Sequence, residues 1–212
     1  RRHPLKEMAD GLAYTWRERF LLGAITLDLF AVLLGSAVAM LPVFARDILM
    51  VGTEGLGQLR AAPAVGAAVV ALWFAFRPLR HNVGVKMLWA VVIFGLGTIG
   101  FGLSRDFALS LAMLVLMGAA DMLSVYVRSS LVQLNTPDAM RGRVSAVSGL
   151  AISASNELGE MRCGAMAALI GPVAAVVSGG VAAIVVTALW AYSFPELRRA
   201  RTFEPQFRNP DP

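Results

Sequence analysis

Charged residues are scarce. Asp, Glu, Lys and Arg together make up 16% of the 212 residues, against about a quarter in an average soluble domain. A soluble helical protein breaks its apolar runs every few residues to give each helix a wet face. Here Cys163 to Phe194 and Met87 to Ser104 carry no charge at all, and Phe20 to Ala45 carries only Asp28. Histidine is equally rare. His3 and His81 both fall in flanking segments, which excludes a histidine-built metal cluster and a membrane-embedded histidine base. The one cysteine, Cys163, cannot form an intrachain disulfide and reads as a small buried apolar side chain. A Gly-x-Ser-x-Gly elbow and a Gly-x-x-x-x-Gly-Lys-Ser/Thr phosphate loop are also missing, so no enzyme activity and no cofactor are expected. The chain lacks a starting Met and a signal-peptide pattern, and it reads as a fragment or a truncated reading frame.

What the sequence has is apolar length. The set AVILMFWYC supplies 57% of the residues, in runs that reach or approach the roughly 20 residues needed to cross a hydrocarbon core. Six transmembrane helices are expected, near Phe20–Phe44, Leu59–Phe76, Met87–Leu103, Phe107–Val127, Val144–Leu169 and Val173–Phe194. The fold class is therefore all-α and polytopic, with a linker at 1–19, a six-helix transmembrane domain at 20–194 and a tail at 195–212. Gly52 to Gly57, Arg77-Pro78 and Gly171-Pro172 supply turn chemistry between spans. The loops are short, so neighbouring helices run antiparallel.

Formal net charge is +5, yet the basic residues sit between apolar runs rather than on one soluble face, which speaks for topology rather than nucleic acid. Arg1, Arg2, Lys6, Arg17, Arg19, Arg77, Arg80, Lys86, Arg141, Arg143, Arg198, Arg199, Arg201 and Arg208 fall on one side, and Arg46, Arg60 and Arg105 on the other. The retention of positive loops in the cytoplasm then puts both termini there. Leu5, Met8, Leu12 and Trp16 recur at helical spacing among charged residues, as in an interfacial amphipathic helix. Thr136-Pro137-Asp138 has a helix start's hydroxyl, proline and carboxylate.

Ionisable groups inside a bilayer cost roughly 2.5–3.5 kcal/mol each on insertion scales, so each needs a partner, a cavity or a route to the interface. Arg128 and Arg162, toward the ends of their spans, are expected to snorkel. Glu157 falls near the centre of the fifth span, and Ser153, Asn156, Glu157, Glu160 and Gly164 share one helical face. Such a stripe suits a cavity wall. Asp28 in the first span and Asp121 in the fourth are further candidates for substrate or proton coupling; the alternative role for all three acids is an interhelical hydrogen bond. Gly95, Gly97, Gly100 and Gly102 crowd the third span, where small residues let backbones approach closely. Pro42 and Pro63 are candidate kinks that help helices rock, or else parts of a tight static packing.

Leu27-Asp28-Leu29-Phe30 through Leu41-Pro42-Val43-Phe44-Ala45-Arg46-Asp47, then Val127 to Leu134, Thr136 to Val144 and Phe194 to Arg198 resemble the second half of major facilitator superfamily exporters. The similarity is to the enterobactin-exporter-like branch, the transmembrane secretion effectors. It covers nearly the whole chain, and its most specific part is Pro-Asp-x-x-Arg-Gly-Arg between spans four and five. The resemblance implies a cytoplasmic latch at Asp138, Arg141, Gly142 and Arg143. A second gating relic falls at Arg80, Gly84 and Lys86, without that motif's aspartate. It also implies a partner half of six more helices, a bacterial inner-membrane location and export of a small amphipathic molecule, such as a siderophore or drug, by alternating access. Buried carboxylates point to proton coupling. The other reading is an orphan or scaffold half-domain that does not transport alone. The lipid bilayer, the missing half and the small-molecule substrate are the expected partners, and no nucleic acid is.

Overall fold

A computed structural model of the chain describes residues 16, 19–77, 79, 82–134, 136 and 138–195. Its long helices are α1 (Arg19–Gly35), α2 (Gly52–Phe76), α3 (Val83–Leu103), α4 (Phe107–Leu134), α5 (Asp138–Ile170) and α6 (Pro172–Ser193), with no strand among the described residues. Five segments are long and apolar enough to cross a membrane: Leu22–Ile48, Gly52–Phe76, Val83–Leu103, Phe107–Leu134 and Pro172–Ser193. In such segments every backbone group must find its partner within the protein, because lipid offers none. α5 is the longest helix, at 33 residues, but Glu157, Glu160, Arg162 and its serines dilute the apolar run expected there. The amphipathic pattern before Trp16, Arg80, and the tail from Glu196 onward lie outside the described residues.

α2 packs on α4, α3 lies against both α4 and α6, and α1 is held by α6 and α5. One buried cluster joins Phe44, Leu59, Phe101, Leu114, Cys163 and Val176, and a second joins Ala24, Leu27, Val83, Met87, Val127 and Leu131. The starts of α1 and α3 and the ends of α4 and α6 meet at the second cluster, which also takes Trp190 and Phe194. The chain therefore returns to the end of the bundle where α1 begins. Glycine sets the crossings. A Cβ on Gly118 would run into the Pro63 carbonyl oxygen, and one on Gly66 into that of Val115. Gly95 and Gly180 face each other so closely that a Cβ on either would come within 3.0 Å of the other's carbonyl. The small residues expected to pack helices in lipid do so at α2–α4 and α3–α6.

Two boundaries differ from the sequence reading. Gly52 to Gly57 belongs to α2 rather than to a loop; the turn is confined to Leu49–Val51, with Met50 at φ 52° and Gly52 at φ 67°. Glu54 lies in the first turn of α2, where a carboxylate complements the helix dipole. The first span is broken as well. α1 stops at Gly35, Ser36 and Ala37 are non-helical, and the chain continues through a 3₁₀ turn (Val38–Met40), a single α turn (Leu41–Val43) and a π turn (Phe44–Ile48). Pro42 contributes to this irregularity because it has no N–H to offer the Val38 carbonyl four residues back.

Candidate functional site

The face of α4 that carries Asp121, Ser124 and Arg128 turns toward Asp28 on α1. Arg128 Nη2 lies 3.3 Å from Asp28 Oδ2, with both side chains 5% exposed. The Ser124 hydroxyl donates to Asp28 Oδ1 at 3.1 Å. Asp121, Asp28, Ser124, Ala31, Val32, Ala90, Val91, Phe94 and Ala120 line a small crevice with room for about one water molecule. α3 gives this crevice only Ala90, Val91 and Phe94, so the charged groups at the site come from α1 and α4. Arg128 Nε is buried with no hydrogen-bond partner among the described residues. Arg128 was expected to snorkel. It stays inside instead, because a buried carboxylate and hydroxyl on its own side of the bundle replace the water it would otherwise reach.

Arg162 departs from the same expectation. With Ala37 and Val38 out of helical register, the carbonyls of Leu33 and Leu34 lose the N–H groups that would follow four residues on. Ser36 N–H still reaches the Val32 carbonyl, at 3.1 Å, and is the last regular helical bond. Arg162 fills the gap from α5. Its Nε donates to the Leu33 carbonyl at 3.0 Å, its Nη2 to the Leu34 carbonyl, and its Nη1 lies 3.0 Å from Met166 Sδ. Two turns earlier on α5, the Ser155 hydroxyl donates to the Leu29 carbonyl at 2.6 Å.

The polar stripe of α5 is divided between two environments. Ser153, Asn156 and Glu157 are exposed on the surface of this six-helix unit, Glu160 and Gly164 are half-buried, and none of them joins the Asp28–Arg128 site. Across the turn between α4 and α5, Arg141 Nε in the first turn of α5 donates to the Gln133 carbonyl at the end of α4 at 3.2 Å and ties the two helix ends together. Gly142 is exposed and Arg143 half-buried; α5 starts at Asp138, as the Thr-Pro-Asp signature predicts. The Thr136 hydroxyl is buried without a partner among the described residues, so the expected hydroxyl cap is not made. Gly84 is buried in the first turn of α3.

Residues 5–211 match the family described as transmembrane secretion effectors. The chain belongs to the transmembrane secretion effector family, within the major facilitator superfamily. It is 29% identical to the enterobactin exporter EntS of Escherichia coli O1:K1 over 208 residues, which is 97% of this chain and 49% of that protein. Against the exporter of the same name from Escherichia coli SMS-3-5 it is 28% identical over 211 residues, 100% of this chain and 50% of that one. The chain thus spans about half the length of the curated relatives it matches. Family membership and the apolar helices make it a multi-pass membrane protein, and the family itself is one of transporters.

Proposed function

We propose that the chain is the carboxy-terminal half of a secondary active exporter, that all six helices cross the bacterial inner membrane with both termini in the cytoplasm, and that transport is coupled to protons. The observation that carries the coupling is the grouping of two carboxyls and one guanidinium, Asp28, Asp121 and Arg128, inside an apolar bundle. Two of the three charges cancel. The group is neutral only when one carboxyl holds a proton, and an uncompensated charge in the hydrocarbon region is expensive. Asp28 already has Arg128 and Ser124, whereas Asp121 has no hydrogen-bond or ion-pair partner among the described residues and opens on the crevice. Asp121 is therefore the carboxyl that takes and releases the proton, and Asp28–Arg128 is the fixed pair beside it.

Ser153, Asn156, Glu157 and Glu160 of α5 then form the wall that faces the other half of the transporter across the substrate path. The substrate class is a small amphipathic molecule such as a siderophore, by similarity to relatives named as enterobactin exporters. Asp138, Arg141, Gly142 and Arg143, with Arg80 and Gly84, form the cytoplasmic latch. The test is efflux by the full-length transporter with and without an imposed pH gradient. Asp121→Asn should abolish the dependence on the gradient while leaving downhill flux, and Glu157→Gln should change substrate affinity and keep the dependence. Gradient-driven efflux that persists in Asp121→Asn removes that residue from coupling.

A further inference from the structure

The break in α1 and the arginine that fills it have no role in proton coupling. A span that passes through a non-helical pair, a 3₁₀ turn, an α turn and a π turn between Ser36 and Ile48 has interrupted the hydrogen-bond ladder that keeps a helix stiff, and mid-helix 3₁₀ and π turns mark such points of weakness. A bare break in an apolar bundle would leave the Leu33 and Leu34 carbonyls unpaired, at the full desolvation cost of each. Three helices remove that cost here. α1 presents the two carbonyls, α5 delivers the Arg162 guanidinium to both, and α6 contributes Gly179, where a Cβ would stand 2.5 Å from the Leu34 oxygen and 3.1 Å from Arg162 Nη2. Gly159 of α5 is also fitted against this stretch, with a Cβ position 3.0 Å from the Val32 carbonyl oxygen. Among the described residues no carboxylate pairs with Arg162. Its charge is directed at the backbone of the break, as cations favour a helix carboxy terminus.

We propose that Ser36–Ala37 is a hinge in the first span and that Arg162 is its positioning residue, holding the stretch 38–48 in register with α1 by binding the two carbonyls that the break exposes. When the guanidinium leaves those carbonyls, the stretch 38–48 is free to swing. It carries Met40, Leu41 and Phe44 away from the cluster that they share with Cys163, Phe101 and Val176, and opens that end of the bundle. Each state needs its own set of partners for the freed groups, which makes the movement a switch between two arrangements rather than a continuous bend.

Cys163 is the natural reporter, because it is fully buried in that cluster and adjoins Arg162. The experiment is the rate of labelling of Cys163 by a membrane-impermeant maleimide in the full-length transporter in membranes, read by mass spectrometry of the Cys163 peptide. Arg162→Met, which keeps the length and removes the donors, should speed labelling about tenfold, the effect of roughly one net hydrogen bond. Arg162→Lys, which can still donate, should fall between it and the native protein. Pro42→Ala restores an N–H to the irregular stretch and lies at an exposed position, so it should slow labelling. A rate in Arg162→Met within about twofold of native, in protein that runs as a single species in detergent, overturns the proposal. If Arg162→Met does not accumulate, Pro42→Ala decides: slower labelling supports the hinge and an unchanged rate overturns it. None of these readouts involves transport or a proton gradient, so the hinge and the coupling site stand or fall separately.

Discussion

Removing the cation from the Asp28–Asp121–Arg128 group should cost far more than removing either anion, and removing an anion as well should restore part of the loss. Deleting one partner of a buried ion pair typically costs about 3–5 kcal/mol, because the survivor is left charged and dry. Arg128→Met falls in that class: it strands the Asp28 carboxylate, 5% exposed and with only the Ser124 hydroxyl to accept from, and leaves Asp121 at the same crevice. Asp28→Asn is a smaller change. The amide oxygen still accepts from Ser124, and Asp121, at the same crevice as residue 28, still balances the guanidinium; a loss of about 1–2 kcal/mol is expected, near that of a hydrogen bond to a charged group. The double variant Arg128→Met/Asp28→Asn has one carboxyl in place of two and should be more stable than Arg128→Met alone by about 1–3 kcal/mol, the cost of a buried polar group left without its partner. The assay is unfolding of the purified full-length transporter in detergent, followed by tryptophan fluorescence. A double variant no more stable than Arg128→Met, with the single losses simply adding, would refute the charge balance and with it the reason for calling Asp121 the proton carrier.

Other perturbations test the packing around the sites. Gly118→Ala puts a methyl against the Pro63 carbonyl, which is backbone and cannot step aside; a loss of about 1–3 kcal/mol or more is expected in the same unfolding assay. Gly149→Ala, also mid-helix but with open space around its Cβ position, should instead stabilise by up to about 1 kcal/mol through helix propensity. Gly179→Ala should cost about 1–3 kcal/mol and speed Cys163 labelling as Arg162→Met does, because it displaces the guanidinium without removing it. Ser124→Ala should lower stability by only about 1 kcal/mol, since Arg128 remains on Asp28.

The membrane character of the chain was plain in its uncharged runs, because a hydrocarbon solvent imposes one requirement, apolar length, on every helix alike. The glycine-dense third span announced close packing for the same kind of reason: Gly95 and Gly102 meet α6, and Gly97 and Gly100 meet the methionines of α4. Boundaries were harder to read where the sequence carries two compatible signals. Gly52-Thr53-Glu54-Gly55 looks like a turn by its glycines and like a helix start by its acid, and the helix prevails once Gly52 alone takes the left-handed backbone.

Arg128, buried, and Arg162, half-buried, show where spacing along one helix runs out. Asp121, Ser124 and Arg128 share one face of α4 by their spacing of three and four residues, and on that helix alone Arg128 has no partner within reach and an interface to escape to. Its actual partner, Asp28, is a hundred residues away in the chain and becomes a neighbour only when α1 lies across α4. Arg162 was illegible for a different reason: its acceptors are backbone carbonyls, which every residue has and which become available only because the helix stops at Gly35. The signal that could have located it was Ser36 inside the first span with Pro42 six residues on, toward its end, a stretch in which the ladder is prone to lapse. A cation expected nowhere near a carboxylate should then be matched with the carbonyls such a lapse sets free. Both arginines thus follow one rule. In a medium without water, a charge is explained by whatever the bundle has left unsatisfied, and a break in the backbone counts as much as an acid.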